Sequence, residues 1–202
     1  MPPRNQHWWL TGDHVELVID ADPGLLYDMV CDLPRIGEWS PECELVEWEG
    51  SVTVPVEGST FVGHNAVGPG RRIRYSRHGR VLAAERGQEF AFITDEGGRE
   101  STMWRYRFEP AGGGTRVTES YEVRWIPLWA RILDVPLNRH KELLANMRTT
   151  LERLKLAAER GRDLHDATGS PSRRRRSRPE ATELRASLPA GWRSPPARPR
   201  GV

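Results

Sequence analysis

Residues 32–43 read Asp32-Leu33-Pro34-Arg35-Ile36-Gly37-Glu38-Trp39-Ser40-Pro41-Glu42-Cys43. Proline lacks a backbone N–H, so this segment predicts a helix that stops at Pro34 and a following turn that carries Trp39. Two later segments read Trp104-Arg105-Tyr106-Arg107-Phe108-Glu109-Pro110 and Gly113-Gly114-Thr115-Arg116-Val117-Thr118-Glu119. Apolar residues on alternate positions are typical of strands, so these segments predict antiparallel strands beyond the turn.

The elements around these segments follow from periodicity. Residues 13–20 alternate as a first strand, and Asp22-Pro23 supplies an N-cap with proline at the first helical position of a helix that runs to about residue 33. A short second helix or turn is predicted at 35–39. The further predicted strands cover residues 43–48, 59–66, 71–84, 89–95, 101–109 and 115–124. Glycine-rich separators predict hairpins, and therefore a meandering antiparallel sheet.

The period changes near the end of the ordered sequence. The apolar residues there step by three and four positions: Leu144, Met147, Leu151, Leu154 and Ala158. This spacing predicts a helix at about 138–158 with one buried face, and residues 128–134 are interpreted as a preceding turn interrupted by Pro136. The predicted fold class is α+β, with a curved antiparallel sheet of about seven strands wrapped around a long C-terminal helix.

Strand parity predicts which side chains face that helix, because alternate residues of a strand share a face. The charged set on residues 102–108 contains Arg105 and Arg107, so the other set must point inward. The inward set over all strands is Phe61, Gly63, Asn65, Ile73, Tyr75, Val81, Phe90, Phe92, Thr102, Trp104, Tyr106, Phe108, Val117, Glu119, Tyr121 and Val123. The aromatic members are either plain core or the lining of a cavity.

Three polar residues share the inward parity. Glu119 and Asn65 would each need a partner in an apolar interior, and burial would raise the pKa of Glu119 unless a cation lies near. Arg77 is the predicted candidate for that cation. Glu119 is therefore either the structural partner of an arginine or a general acid or base, and Asn65 either satisfies backbone groups or orients a ligand. Trp39 is either a cap on the core or a gate at a cavity mouth.

Residues 12–160 resemble the polyketide cyclase/dehydrase-like branch of the START-like (SRPBCC, Bet v 1-type, helix-grip) superfamily, in the form common in actinobacteria. The resemblance rests on residues 32–35 and 38–43, on Phe61, Gly63 and Asn65, and on residues 89–92, 104–109 and 115–120. It implies an internal hydrophobic cavity for lipids, polyketides or related apolar molecules. The predicted cavity residues are Trp39, Phe61, Asn65, Tyr75, Arg77, Phe92, Trp104, Tyr106, Phe108, Glu119, Tyr121, Met147 and Leu151.

Three functions remain open at this point. The first is binding or carriage of a hydrophobic small molecule between the sheet and the C-terminal helix. The second is a cyclase or dehydrase that uses Glu119 with a cavity tyrosine, for which Tyr75, Tyr106 and Tyr121 are the candidates. None of these residues has a second titratable group at a diagnostic spacing, so the sequence favours a binding protein over an enzyme. The third is an interaction protein that acts through its tail.

The charge of the chain is uneven along its length. Of the 202 residues, 1–11 are interpreted as an N-terminal extension, 12–160 as the ligand-binding domain and 161–202 as a disordered tail. The tail holds 10 arginines and 4 acidic residues and includes Arg173, Arg174, Arg175 and Arg176. Such a run either stays solvated or contacts a polyanion, namely nucleic acid or an anionic membrane surface.

Other classes of function lack their motifs. The six histidines and two cysteines show no metal-ligand spacing, and neither a nucleophile elbow nor a phosphate-binding loop occurs, so no metal or cofactor is predicted. Cys31 is interpreted as a small core residue, and two cysteines are too few for a disulfide framework. Without a bilayer-length apolar run or a secretory signal, the predicted location is the cytoplasm.

Overall fold

The structure is a computed structural model in which residues 11–168 are described. Within them, seven strands form one fully antiparallel sheet in the order β1-β7-β6-β5-β4-β3-β2. The strands are β1 Gly12–Ile19, β2 Cys43–Trp48, β3 Thr60–Val67, β4 Ile73–Glu85, β5 Glu89–Glu96, β6 Arg99–Ala111 and β7 Gly114–Val123. The predicted curved seven-stranded sheet and α+β helix-grip architecture are confirmed.

Short helices follow the first strand, as predicted. Helix α1 (Pro23–Cys31) begins where the Asp22 side chain accepts hydrogen bonds from the backbone N–H groups of Gly24 and Leu25. A 3₁₀ helix (Leu33–Glu38) continues the chain and packs against β2. Its Gly37 lies so close to this strand that a Cβ there would overlap the carbonyl oxygen of Glu44.

The C-terminal part of the chain is more helical than predicted. Residues at the predicted turn form helix α2 (Leu128–Leu137), and the chain stays helical through Pro136 in its last turn. Helix α3 (Arg139–Thr168) continues ten residues past its predicted end. Residues 161–168 were assigned to the tail, but no proline interrupts the chain between Pro136 and Pro171, and these residues are helical.

The core lies between the sheet and two helices. Leu151, Leu154 and Ala158 of α3 pack with Leu26 and Val30 of α1 over the inner face of the sheet. Aromatic side chains meet edge to face, with the Tyr27 ring centroid 6.1 Å from that of Phe90 and 6.0 Å from that of Phe108. This solid packing fills one end of the space between the sheet and α3.

Parts of two predicted segments lie outside the described residues: residues 1–10 of the extension, and the tail from residue 169 with Arg173, Arg174, Arg175 and Arg176. Among the helices that are described, none is both long and apolar enough to span a bilayer.

Candidate ligand cavity

A cavity of about 660 Å³ separates the sheet from the first half of α3. Nine of the predicted residues line it: Phe61, Asn65, Tyr75, Arg77, Phe92, Trp104, Tyr106, Glu119 and Met147. Its volume is that of a site for a drug-sized molecule, and most of its wall is apolar. The residues predicted to face inward therefore include most of those with which the sheet lines the cavity.

The other four predicted residues do not line the cavity. Phe108 and Leu151 belong to the solid core, and Tyr121 packs against Leu143 and Met147 while its hydroxyl hydrogen-bonds His140 Nδ1 at 2.7 Å. Trp39 is only 1% exposed and packs in the same core as Phe108. Of the two roles considered for Trp39, this position fits the cap and not the gate.

The floor of the cavity is a polar pair on adjacent strands. The Tyr106 hydroxyl on β6 donates a hydrogen bond of 2.8 Å to Oε1 of Glu119 on β7. Burial raises the pKa of Glu119 to about 8, although the hydrogen bond from Tyr106 lowers it in part. Burial and the neighbouring carboxyl also raise the pKa of Tyr106 well above its ordinary value. Glu119 is therefore mostly a neutral acid at pH 7.

The predicted cation for Glu119 is elsewhere. Arg77 forms an ion pair with Glu96, with 3.2 Å between Nη2 and Oε2, and its guanidinium lies 4.9 Å from the centroid of the Tyr75 ring. The prediction that Arg77 partners Glu119 was wrong because parity gives the face of a residue but not its position along the neighbouring strands. The partner of Glu119 is the tyrosine directly opposite it.

A second polar cluster, centred on Glu42, joins the sheet to α3. The Glu42 carboxylate accepts hydrogen bonds from the Tyr75 hydroxyl, from Arg139 and from Asn146 Nδ2, the last at 3.2 Å. Burial lowers the pKa of Arg139, but the attraction of Glu42 outweighs it and raises that pKa above the ordinary value. Burial and the Glu42 charge likewise raise the pKa of Tyr75.

The cavity reaches the surface between β4 and α2. Trp129 on α2 and Ile73 at the start of β4 both line the cavity, yet they are 62% and 60% exposed. An apolar molecule could enter the cavity past these two side chains. Within residues 11–168, no group of three or more His, Cys, Asp or Glu side chains is arranged to hold a metal ion.

Residues 14–159 match the sequence profile of a family described as polyketide cyclase/dehydrase and lipid transport. The chain belongs to this family. No curated protein matches the chain.

Several solved structures share the fold of this chain. DR_A0006 from Deinococcus radiodurans is 21% identical with a TM-score of 0.53, over 75% of this chain and 99% of that one. The polyketide cyclase-like protein Cgl2372 from Corynebacterium glutamicum is 27% identical with a TM-score of 0.51, over 76% and 94%. The di-domain ARO/CYC StfQ of the steffimycin pathway is 14% identical with a TM-score of 0.62, over 77% and 53%. Membership in the family supports ligand binding or polyketide cyclase activity in general terms.

Sequence reasoning missed part of the site in this family member. The pairing of Tyr106 with Glu119 was open to prediction, because the two-residue turn Gly112-Gly113 places residues equally distant from it opposite each other. The cluster around Glu42 had no such signal, since Arg139 lies 97 residues away in the chain. Trp129 had no such signal either, because its segment was predicted to be a turn.

Proposed function

We propose that this protein binds and carries a hydrophobic small molecule, a lipid or a polyketide-like compound, in the cavity between the sheet and α3. The observation that supports this most directly is a cavity of about 660 Å³ with a largely apolar wall. The aromatic rings of Phe61, Phe92 and Trp104 supply much of that wall. When a ligand displaces water from this apolar surface, the free energy of the complex falls.

The size of this gain is sufficient for useful affinity. Burying apolar surface contributes roughly 25 cal/mol per Å², so a ligand that loses a few hundred Å² of contact with water can bind with a dissociation constant on the order of micromolar after ordering costs. The polar groups of the wall are mostly paired with one another, as Glu42 is with Arg139 and Arg77 is with Glu96. They therefore add little cost when an apolar molecule covers them.

Native mass spectrometry of the purified protein, followed by solvent extraction, tests the proposal. The chain offers a matched pair of variants on β3, because Gly63 lines the cavity and Val62 has the opposite parity. Gly63→Leu fills the cavity and is expected to abolish co-purification or binding of an apolar ligand, whereas Val62→Leu leaves it intact. Equal retention in both variants, or a native protein that takes up no apolar compound, would overturn the proposal.

An enzymatic role is a second candidate, favoured by the hydrogen bond between Tyr106 and Glu119 on the cavity floor. A carboxyl group with a pKa of about 8 is suited to proton transfer near neutral pH. In such a cyclase or dehydrase, the minor ionised fraction of Glu119 present at neutral pH would act as the base that takes a proton from the carbon next to a carbonyl group. Turnover of a linear poly-β-ketone thioester by the native protein and its loss in Glu119→Gln are the results expected. Undiminished turnover in this variant, or no turnover by the native protein, would leave ligand binding as the only function supported.

A further inference from the structure

Glu119 and Tyr106 lie where the solid core ends and the cavity begins. On β6, Trp104 and Tyr106 line the cavity, whereas Phe108, the next inward residue, lies in the core. On β7, Glu119 lines the cavity while Val117 lies in the core. A ligand that enters from the surface therefore meets Glu119 at its innermost end.

One oxygen of the Glu119 carboxyl group has no hydrogen-bond partner in the part of the chain that the structure describes. Glu119 is 3% exposed, and its Oε1 accepts the hydrogen bond from Tyr106. Its Oε2 is buried without a hydrogen-bond partner among the described residues. Buried polar atoms are nearly always paired, so an unpaired carboxyl oxygen on a residue that lines the cavity points to a group from the cavity as its missing partner.

The hydrogen-bonding direction of that oxygen follows from its neighbours. The other ionisable groups that line the cavity are Glu42, Cys43, Tyr75, Arg77, Glu96, Tyr106 and Arg139. The two arginines are paired with Glu96 and Glu42. Burial raises the pKa of Glu119 to about 8, and Oε1 already accepts from Tyr106. The proton therefore resides on Oε2, which acts as a donor.

We propose that Glu119 anchors the innermost end of the ligand by donating a hydrogen bond from Oε2 to an uncharged ligand oxygen, a carbonyl or a hydroxyl. This inference rests on the proposed carrier function and specifies the class of ligand. The aromatic walls contributed by Phe61, Phe92 and Trp104 favour a ring system. The expected ligand is therefore a ring ketone or a phenol that enters with its oxygen first.

The same geometry disfavours a carboxylate at the inner end. A charged head group there would be buried beside Glu119, while the arginines of the cavity already have acidic partners. An unpaired buried charge costs far more than a neutral polar group. A fatty acid would consequently have to bind with its tail inward, and Glu119 would give it no preference.

A pair of rigid probes isolates this hydrogen bond. Fluorene and 9-fluorenone differ only at C9, which is a methylene group in the first and a carbonyl group in the second. Equilibrium dialysis gives the affinity ratio of ketone to hydrocarbon for each protein. Relative to Glu119→Met, the native protein is expected to raise this ratio about threefold to tenfold, the range of one hydrogen bond. Glu119→Gln keeps an N–H donor and is expected to retain most of the preference.

A pH series separates anchoring from a structural effect of the substitution. The preference of the native protein should fall as the pH rises from 7 to 9, because Glu119 loses its proton near its pKa of about 8. Glu119→Gln should show no such change. Burial raises the pKa of the Cys43 thiol to about 12, so that group stays protonated throughout.

The outcomes distinguish the inference from the function on which it rests. If both probes bind and the native and Glu119→Met proteins give the same ratio, the anchor is refuted while carriage stands. If neither probe nor any other apolar compound binds the native protein, the proposed function falls and the anchor with it. A ratio that drops in Glu119→Met, persists in Glu119→Gln and declines with pH only in the native protein supports the anchor.

Discussion

Arg139, near the start of α3, forms an ion pair with Glu42, which lies just before β2 and 97 residues earlier in the chain. The pair ties the helix to the sheet beside the cavity, and Tyr75 and Asn146 complete the hydrogen bonding of the carboxylate. Both side chains are largely buried, so removing one leaves an incompletely compensated charge in a poorly solvated place.

Substitution of Arg139 should therefore destabilise the protein. Arg139→Met is expected to lower the free energy of unfolding in urea by about 1 to 3 kcal/mol, since Glu42 keeps only its two neutral partners. The control is Glu142→Gln, which removes the other acidic partner of Arg139, a side chain that is 46% exposed. Exposed ion pairs contribute little, so the control should lose less than about 0.5 kcal/mol. Equal losses in the two variants would contradict the assignment.

The raised pKa of Glu119 predicts a pH-dependent stability. The pKa of the carboxyl group is near its ordinary value of 4.5 when the chain is unfolded and about 8 in the folded protein. Between these values the folded state holds a proton that the unfolded state has lost, so stability falls as the pH rises and levels off above about 8. We expect a decline on the order of 1 kcal/mol per pH unit.

Urea unfolding of the native protein and of Glu119→Gln, at pH 5 to 9, measures this contribution. The amide of the variant does not titrate. The native protein should therefore lose stability relative to Glu119→Gln as the pH rises. Parallel curves for the two proteins would show that Glu119 ionises equally easily in both states.

A glycine behind the cavity wall sets the position of an aromatic ring. A Cβ at Gly79 on β4 would overlap the ring of Phe61, which lines the cavity on the neighbouring strand. Gly79→Ala should push this ring aside, lower the free energy of unfolding by about 1 to 3 kcal/mol and change which ligands fit. Differential scanning fluorimetry, together with dialysis of an apolar probe, measures both effects.

Gly63→Ala is the matched control for that substitution. At Gly63, a Cβ would have Val46 Cγ2 as its nearest neighbour at 3.8 Å, an ordinary contact. Its stability should change by less than about 1 kcal/mol, helped by the smaller conformational entropy of the unfolded chain. If Gly79→Ala were as harmless as Gly63→Ala, the Phe61 ring would not depend on the glycine beneath it.

Both cysteines should react slowly in the folded protein. Burial, with a smaller effect of Asp28, raises the pKa of the Cys31 thiol to about 11, and burial raises that of Cys43 to about 12. The reactive thiolate is therefore scarce at pH 8. Ellman's reagent should modify neither thiol rapidly until guanidinium chloride unfolds the protein, when both react. Fast modification of either one in the native state would contradict the burial of its thiol.

The sheet could be predicted well because the alternation of apolar and polar residues within a strand shows which of its faces is buried. Alternation placed Trp104, Tyr106 and Glu119 on the inner face, and all three line the cavity. The ends of the elements were less certain, as the continuation of α3 to Thr168 illustrates. Composition alone does not separate a polar helical segment from a polar tail.

The parts of the site that escaped prediction depend on contacts between distant elements. Arg77 was predicted to pair with Glu119 because the two residues share a face of the sheet. The register of β4 against β5 places Arg77 beside Glu96 instead. The bond between Glu42 and Asn146 depends on how α3 is rotated against the sheet, and no local pattern reports that rotation. Cavity volume has the same origin, because it is the space that side chains from many elements leave unfilled.

The contact of Gly37 with β2 bears on the behaviour of the protein at high concentration. Strand β2 is at one end of the sheet, where an uncovered row of backbone groups could recruit a strand of another molecule. The backbone at Gly37 occupies the space beside the Glu44 carbonyl oxygen, so an incoming strand has no room there. A bulkier residue at Gly37 would displace the 3₁₀ helix and expose this row, so we expect substitution of this glycine to promote aggregation.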